Sequence, residues 1–164
     1  MTRAVATLGP IGRIRPAPGT WGSLAALPLA YMLHQLGGFP LLAAATLAAF
    51  GLGLWAVRAE IAGSADPDPS EIVIDELVGQ WIALWPLSAG LWFAGVAPHV
   101  FPWPGWVGGF VMFRLFDIWK PWPVSRADAR HDALGVMLDD VLAGLMAAFC
   151  VAAAAAVAHG MLMR

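Results

Sequence analysis

Apolar residues dominate the chain in five blocks, and short polar segments separate these blocks. They cover residues 21–36, 39–57, 77–97, 106–119 and 141–163. The second, third and fifth blocks reach the length of about 20 residues that a membrane-spanning helix needs, with about 17 as the lower limit. Because lipid offers no partners to free backbone N–H and C=O groups, we expect helices. The pattern predicts an all-α, polytopic membrane bundle of about four to five helices, in which the first and fourth are the shortest.

The composition agrees with a lipid environment. Of the 164 residues, 60% are hydrophobic and 12% are charged, and nine are tryptophan. Average soluble domains carry about 25% charged residues, and tryptophan collects at membrane–water interfaces. The length indicates a single domain over residues 1–164. No basic patch is large enough to indicate nucleic-acid binding, and the sequence specifies no oligomeric state.

The charged residues predict how the helices are oriented. Lys and Arg are absent from the connections at 37–38 and 98–105, and they occur in the N-terminal segment and in the connections 58–76 and 120–140. Because cytoplasmic loops carry an excess of Lys and Arg, five crossings would place the N-terminus in the cytoplasm. Every acidic residue lies between Glu60 and Asp140, so we expect the charged groups of a site on that same side.

Two pairs of adjacent acids stand at predicted helix starts, Asp75–Glu76 before the third helix and Asp139–Asp140 before the last. One acid is enough to cap a helix, and a second is costly near lipid. Adjacent side chains point in directions about 100° apart, so one acid of each pair can face the bundle interior. The pairs therefore predict a divalent-cation site, with capping as the alternative. Mg²⁺ combines one or two carboxylates with water and phosphate oxygens.

The segment "FRLFDIWKPWPV" (113–124) keeps Arg114, Asp117 and Lys120 at the edge of an apolar helix. Their spacing of three places neighbours on one helical face, so a ladder of ion pairs is one interpretation. The other is substrate binding, because the Arg fork fits phosphate oxygens and Lys supplies a point charge. Acids that hold a metal beside cations that hold phosphate predict phosphoester chemistry.

Four segments closely resemble the signature blocks of the phosphatidylglycerophosphatase A family, in the family's order. They are "RPAPGTWGSLAALP" (15–28), "IVIDELVGQW" (72–81), "FRLFDIWKPWPV" (113–124) and "LGVMLDDVLAG" (134–144). The resemblance implies a Mg²⁺-dependent lipid phosphatase of the bacterial inner membrane, with its active site on the cytoplasmic side. Such an enzyme converts the phospholipid phosphatidylglycerophosphate into phosphatidylglycerol and inorganic phosphate.

The resemblance also assigns roles to individual residues. The candidates for metal binding are Asp75, Glu76, Asp117, Asp139 and Asp140. The catalytic candidates among them are Asp75, Glu76, Asp139 and Asp140. Arg114 and Lys120 become contacts of the substrate phosphate. The start of the first helix has two interpretations. Thr20 or Ser23 caps the helix, or Gly19, Thr20 and Gly22 offer backbone N–H groups to the phosphate, which makes Thr20 a phosphate contact.

Two other functions compete with this interpretation. A CDP-alcohol phosphotransferase is also membrane-embedded and Mg²⁺-dependent, and Gly135 followed by Asp139 is similar to the end of its motif. However, the Asp-Gly-x-x-Ala-Arg part is missing, and Asp139 and Asp140 are adjacent rather than four apart. A divalent-cation transporter would need its charges near the middle of the membrane, whereas the acids here lie beside two connections on one side.

Overall fold

The computed structural model describes residues 1–62, 64, 66 and 69–162, except for the side chains of His159 and Leu162. These residues form six α-helices and one 3-10 helix, and no strand occurs among them, so the all-α prediction is confirmed. The helices are α1 (Thr2–Ala6), α2 (Pro18–Ile61), α3 (Ile74–Phe93), α4 (Trp103–Trp119), α5 (Val124–Asp128) and α6 (Ala133–Leu162), and the 3-10 helix is Ile11–Arg13. The apolar pattern did not predict the 3-10 helix, α1 or α5, which are short.

Helix α2 reverses its direction in the middle, at Gly37 and Gly38. Both residues have non-helical backbone angles, and Gly38 has φ 61° and ψ −156°, a combination that only glycine adopts readily. A Cβ atom on Gly38 would lie 1.9 Å from the ring of Trp92. The two halves of α2 therefore meet at a turn with no room for a side chain, at the break that the apolar pattern predicts.

Contacts with α3 show the opposite directions of the two halves. In the first half, Trp81 Nε1 donates to the Ala26 carbonyl at 2.9 Å, and His34 Nδ1 lies 2.8 Å from Ser88 Oγ. The residue numbers increase in the same direction along both helices, so this half runs parallel to α3. In the second half, Thr46 accepts a hydrogen bond from Trp85, which comes late in α3. Gly53 then lies against Ile74 at the start of α3, so this half runs antiparallel to it.

Helix α3 is the centre of the bundle, and most of its first half is buried. Its backbone approaches α6 so closely that a Cβ atom on Gly144 would lie 2.4 Å from the Gly79 carbonyl oxygen. Phe113 of α4 is fully buried and packs beside Gly79. As a result, the starts of α2, α3 and α6 and the end of α4 meet at one end of the bundle.

Helix α6 begins earlier than the sequence indicated. It starts at Ala133, and Asp132 Oδ1 accepts a hydrogen bond from the Gly135 N–H at 2.7 Å. The prediction that Asp139 and Asp140 open this helix is wrong, because Asp132 supplies the cap and the acid pair lies inside the helix. The hydrogen bond from Arg130, with that from Gly135, lowers the pKa of Asp132. This cap therefore stabilises the fold above the unfolded-state pKa and is lost as pH falls through the lowered value.

Within the described part of the chain, two helices are long and apolar enough to cross a membrane, judged by length and composition alone. They are α2, with 44 residues, and the part of α6 from Ala133 to Ala158. The 44 residues of α2 include the turn at Gly37 and Gly38, so they comprise two helical halves that run in opposite directions.

We expect Gly38→Ala to destabilise the protein by about 1–3 kcal/mol, the cost of a side chain in such a backbone conformation, and by more if the Trp92 ring cannot move. The matched control is Gly51→Ala, because a Cβ atom at this helical position meets nothing within 4 Å. Replacing a glycine inside a helix should stabilise it by about 0.5–1 kcal/mol. Thermal unfolding in detergent checks both variants, and wild-type stability of Gly38→Ala would contradict the tight turn.

Candidate functional site

Three carboxylates from three different helices come together at the end of the bundle described above. They belong to Glu76 of α3, Asp117 of α4 and Asp140 of α6, and one oxygen of each lies within 4.8 Å of the others. Asp117 is 9% exposed and Asp140 only 3%. Carboxylate oxygens are the protein ligands that Mg²⁺ prefers. These three residues, which we call the acidic cluster, could therefore hold a divalent cation.

Arg114 binds two members of the acidic cluster. Its Nη1 donates to Glu76 Oε2 at 2.5 Å and forms an ion pair with Asp117 Oδ2 at 2.7 Å. Its Nε–H is buried and has no partner among the described residues. With the three carboxylates ionised, one guanidinium leaves an excess of negative charge in the cluster. That excess suits a divalent cation.

The first turn of α2 forms a wall against Glu76. Ser23 Oγ lies 2.9 Å from both Glu76 Oε2 and the Gly19 carbonyl oxygen, and it accepts a hydrogen bond from Arg114 at 3.3 Å. A Cβ atom on Gly19 would lie 1.8 Å from Glu76 Oε1. From the sequence, Ser23 is a candidate only for capping the first helix and not for a contact with Glu76. The available signal was its spacing of four from Gly19, which places both residues on one helical face.

The side chain of the first acid of each adjacent pair accepts a hydrogen bond from the backbone N–H of the second. Asp75 Oδ1 accepts a hydrogen bond from the Glu76 N–H at 2.9 Å, and Asp139 Oδ1 accepts one from the Asp140 N–H at 2.9 Å. Asp75 and Asp139 thus lie next to the acidic cluster without belonging to it. In both pairs one acid enters the cluster and the other orients it, as the 100° separation of adjacent side chains allows.

Lys120 and Thr20 lie beside the cluster. Lys120 ends α4 in the left-handed conformation, with φ 47° and ψ 53°. It forms ion pairs with Asp128 and with Asp139 Oδ2, the latter at 3.0 Å. Of the predicted ladder, the described contacts contain the pair of Arg114 and Asp117, whereas Lys120 pairs with α5 and α6. Thr20 is half-buried next to Gly19. The prediction that Thr20 or Ser23 caps the first long helix is wrong, because the N-cap of α2 is Ala17 and no side chain forms a capping hydrogen bond there.

Gln80, one helical turn after Glu76, is a polar residue that the sequence analysis did not select. It is fully buried, and neither atom of its amide group has a hydrogen-bond partner in the described part of the chain. Such a group costs about 1–3 kcal/mol of stability. We therefore expect Gln80→Met to raise the melting temperature in detergent. A lower melting temperature would show that the amide is satisfied in the folded protein.

We expect Asp140→Asn to stabilise the protein in excess chelator, because the change removes one of three neighbouring negative charges. Thermal unfolding in detergent measures the effect. The control is Asp132→Asn, which alters an exposed acid that caps α6 and pairs with Arg130, and which should lower stability. If both variants lower it equally, the carboxylates of the cluster do not repel one another as their positions indicate.

Known proteins are similar to this chain over most of its length. It is 35% identical to "Phosphatidylglycerophosphatase A" of Escherichia coli over 133 residues, 80% of this chain and 70% of the relative. It is 36% identical to the protein of the same name from Haemophilus influenzae over 142 residues, 85% of this chain and 80% of the relative.

A third relative carries a different name. It is the "Putative phosphatidylinositol-3-phosphatase" of Bacteroides thetaiotaomicron, 37% identical over 143 residues, 84% of this chain and 83% of the relative. No solved structure is significantly similar to the chain. The model of the family "Phosphatidylglycerophosphatase A" matches residues 4–155, which include the acidic cluster and Arg114. The chain therefore belongs to the phosphatidylglycerophosphatase A family.

Proposed function

We propose that the protein is a Mg²⁺-dependent lipid phosphatase that removes the terminal phosphate of phosphatidylglycerophosphate, giving phosphatidylglycerol and inorganic phosphate. The observation that supports the proposal is the acidic cluster beside Arg114, because three converging carboxylates could hold a metal ion and the guanidinium next to them suits a phosphate. Family membership over residues 4–155 and the names of two relatives support the choice of substrate. The whole chain, residues 1–164, would act as one domain.

Glu76, Asp117 and Asp140 would hold Mg²⁺, because their oxygens converge and their negative charge exceeds that of Arg114. The ion would neutralise phosphate charge and polarise the phosphorus–oxygen bond. Asp75 and Asp139 would keep Glu76 and Asp140 in place through the backbone hydrogen bonds described above. All five acids predicted from the sequence would thus serve the metal site, three as ligands and two as positioning residues.

The cations would bind the substrate phosphate. Arg114 lies against Glu76 and Asp117, and Lys120 lies on the side of Asp139. Thr20 would add a hydroxyl at the start of α2. Water would attack the terminal phosphorus in line, forming a new phosphorus–oxygen bond while the glycerol oxygen leaves. A carboxylate of Glu76 or Asp140 would take the proton of the water and pass it to the leaving glycerol oxygen, so that the carboxylate is regenerated.

The protein would span the bacterial inner membrane several times, with its N-terminus and active site on the cytoplasmic side. The two halves of α2, then α3, α4 and α6, would give five crossings. The site end of the bundle carries Arg13, Arg15 and Lys120, whereas the turn at 37–38 and the connection 98–102 lack Lys and Arg. Trp119 and Trp122 are 68% and 75% exposed at the site end, where a membrane–water interface suits them.

A second substrate class follows from the relative named for phosphatidylinositol 3-phosphate. Both lipids present a phosphomonoester on a headgroup, so the same cluster could act on either.

The acidic cluster at one end of the bundle favours headgroup chemistry over cation transport, since a permeation path needs charges along its length. Transport and CDP-alcohol phosphotransfer stay the alternatives to be tested against phosphate release.

We expect purified protein in detergent to release phosphate from phosphatidylglycerophosphate with Mg²⁺ and to stop in excess chelator. Asp140→Asn should lose about a hundredfold or more of this activity, as expected when a group that stabilises the transition state is removed. Asp132→Asn is the matched control and should keep activity, because it lies outside the cluster. Phosphatidylinositol 3-phosphate is assayed as the alternative lipid substrate, and glycerol 3-phosphate as a soluble control.

Each outcome of this assay decides a separate point. No phosphate release from a folded wild-type sample would reject the phosphatase and favour transport. Full activity in chelator would keep the phosphatase and reject the metal. Equal turnover of glycerol 3-phosphate would reject a lipid substrate, and preference for phosphatidylinositol 3-phosphate would replace the proposed one.

A further inference from the structure

An apolar groove lies between the first half of α2 and α4. It encloses about 350 Å³ and is lined by Leu27, Pro28, Tyr31, Phe101, Trp106 and Val107. No charged side chain lines it. Since a water molecule takes up about 30 Å³, the groove has room for roughly ten groups the size of a methylene. Val107 is half exposed on its outer side, so the groove opens laterally rather than being sealed inside the protein.

The groove lies between the same two helices that supply Ser23 and Arg114 at the acidic cluster. The same two helices meet at the cluster, where Arg114 donates to Ser23 Oγ. From there, Leu27 is four residues further along α2 and Val107 is seven residues back along α4. At 1.5 Å per residue, the groove starts about 6–10 Å from this contact. A helical strip of Leu24, Leu27 and Tyr31 joins the two along α2.

Three aromatic rings close the far end of the groove. The ring centroids of Tyr31 and Phe101 are 5.0 Å apart, those of Phe101 and Trp106 are 5.3 Å apart, and those of Tyr31 and Trp106 are 5.6 Å apart. The Tyr31 hydroxyl donates to the His99 carbonyl at 2.8 Å and fixes the ring. The floor is therefore a packed surface that does not yield easily to a longer occupant.

We propose that this groove holds an acyl chain of the lipid substrate, with the headgroup phosphate at Arg114 and the chain end against the aromatic floor. The inference rests on the proposed function, which places a lipid phosphate in the cluster. A diacyl lipid has a charged phosphate and apolar chains separated by its headgroup, and α2 and α4 present a charged cluster and an apolar groove in the same order. The groove then determines which chain lengths the enzyme prefers.

The test fills the groove with a bulkier side chain. Leu27→Trp on α2 and Val107→Trp on α4 each obstruct one wall, so a folding defect in one leaves the other informative. Leu47→Trp is the matched control, because Leu47 is 67% exposed on the second half of α2 and lines no part of the groove. The substrates are dioleoyl and dihexanoyl phosphatidylglycerophosphate, and kcat/KM is measured for each pair.

Both groove variants should lose about tenfold or more in kcat/KM on the dioleoyl lipid, the equivalent of about two displaced methylenes. They should retain wild-type kcat/KM on the dihexanoyl lipid, and Leu47→Trp should match wild type on both. Equal losses on both chain lengths, or no loss in either groove variant, would overturn the proposal.

A binding experiment separates this proposal from the proposed function. A phosphatidylglycerophosphate with a photoreactive diazirine on one acyl chain is crosslinked to wild-type protein, and the labelled peptides are mapped by mass spectrometry. Labelling at Leu27, Tyr31 or Val107 that Leu27→Trp abolishes supports the groove, even if no phosphate is released. Labelling spread evenly over the bundle surface would overturn it, even in an active enzyme.

Discussion

Repulsion among the three buried carboxylates of Glu76, Asp117 and Asp140 is the constraint on which the rest of the structure depends. Their oxygens lie within 4.8 Å of one another, so each pair of unit charges would repel by about 3 kcal/mol or more where the local dielectric constant is near 20. Arg114 offsets part of this through its contacts with Glu76 and Asp117. The packing of four helical segments has to oppose the remainder.

That packing depends on small residues at the helix contacts nearest the cluster. Gly19 makes room for the Glu76 carboxylate, and Gly79 and Gly144 let the α3 and α6 backbones touch. In a bundle solvated by lipid, close backbone approach replaces the hydrophobic driving force between helices. The glycines that allow tight association are thus the ones that bring the like charges together, so assembly of the bundle and formation of the site are one event.

The sequence predicts the helical segments well, because long apolar blocks and the Gly37–Gly38 break are local features. It misplaces the start of α6, since a single carboxylate in a polar connection, Asp132, determines that boundary. It also misses α1 and α5, which are five residues each. Such short helices have no apolar periodicity of their own and form by packing against the long ones.

The acids and Arg114 are predictable because charged residues in an apolar chain are rare. Which acids enter the cluster and which lie beside it is not predictable, since this depends on which side chains point into the bundle. Ser23 reaches Glu76 across 53 positions of sequence, and no local pattern encodes that contact. The groove at Leu27 and Val107 is likewise invisible in the sequence, because its two walls belong to helices joined only through α3.

The left-handed backbone at Lys120 has a consequence for which substitutions evolution can accept at this position. A residue other than glycine in that conformation costs about 1–2 kcal/mol, and glycine is the usual solution at a helix end. The chain keeps a lysine there, whose ammonium group lies against Asp139. Selection for thermostability alone would favour glycine at this position and remove a cation from the site while the fold stayed intact. The end of α4 is thus a point where stability and function oppose each other in evolution.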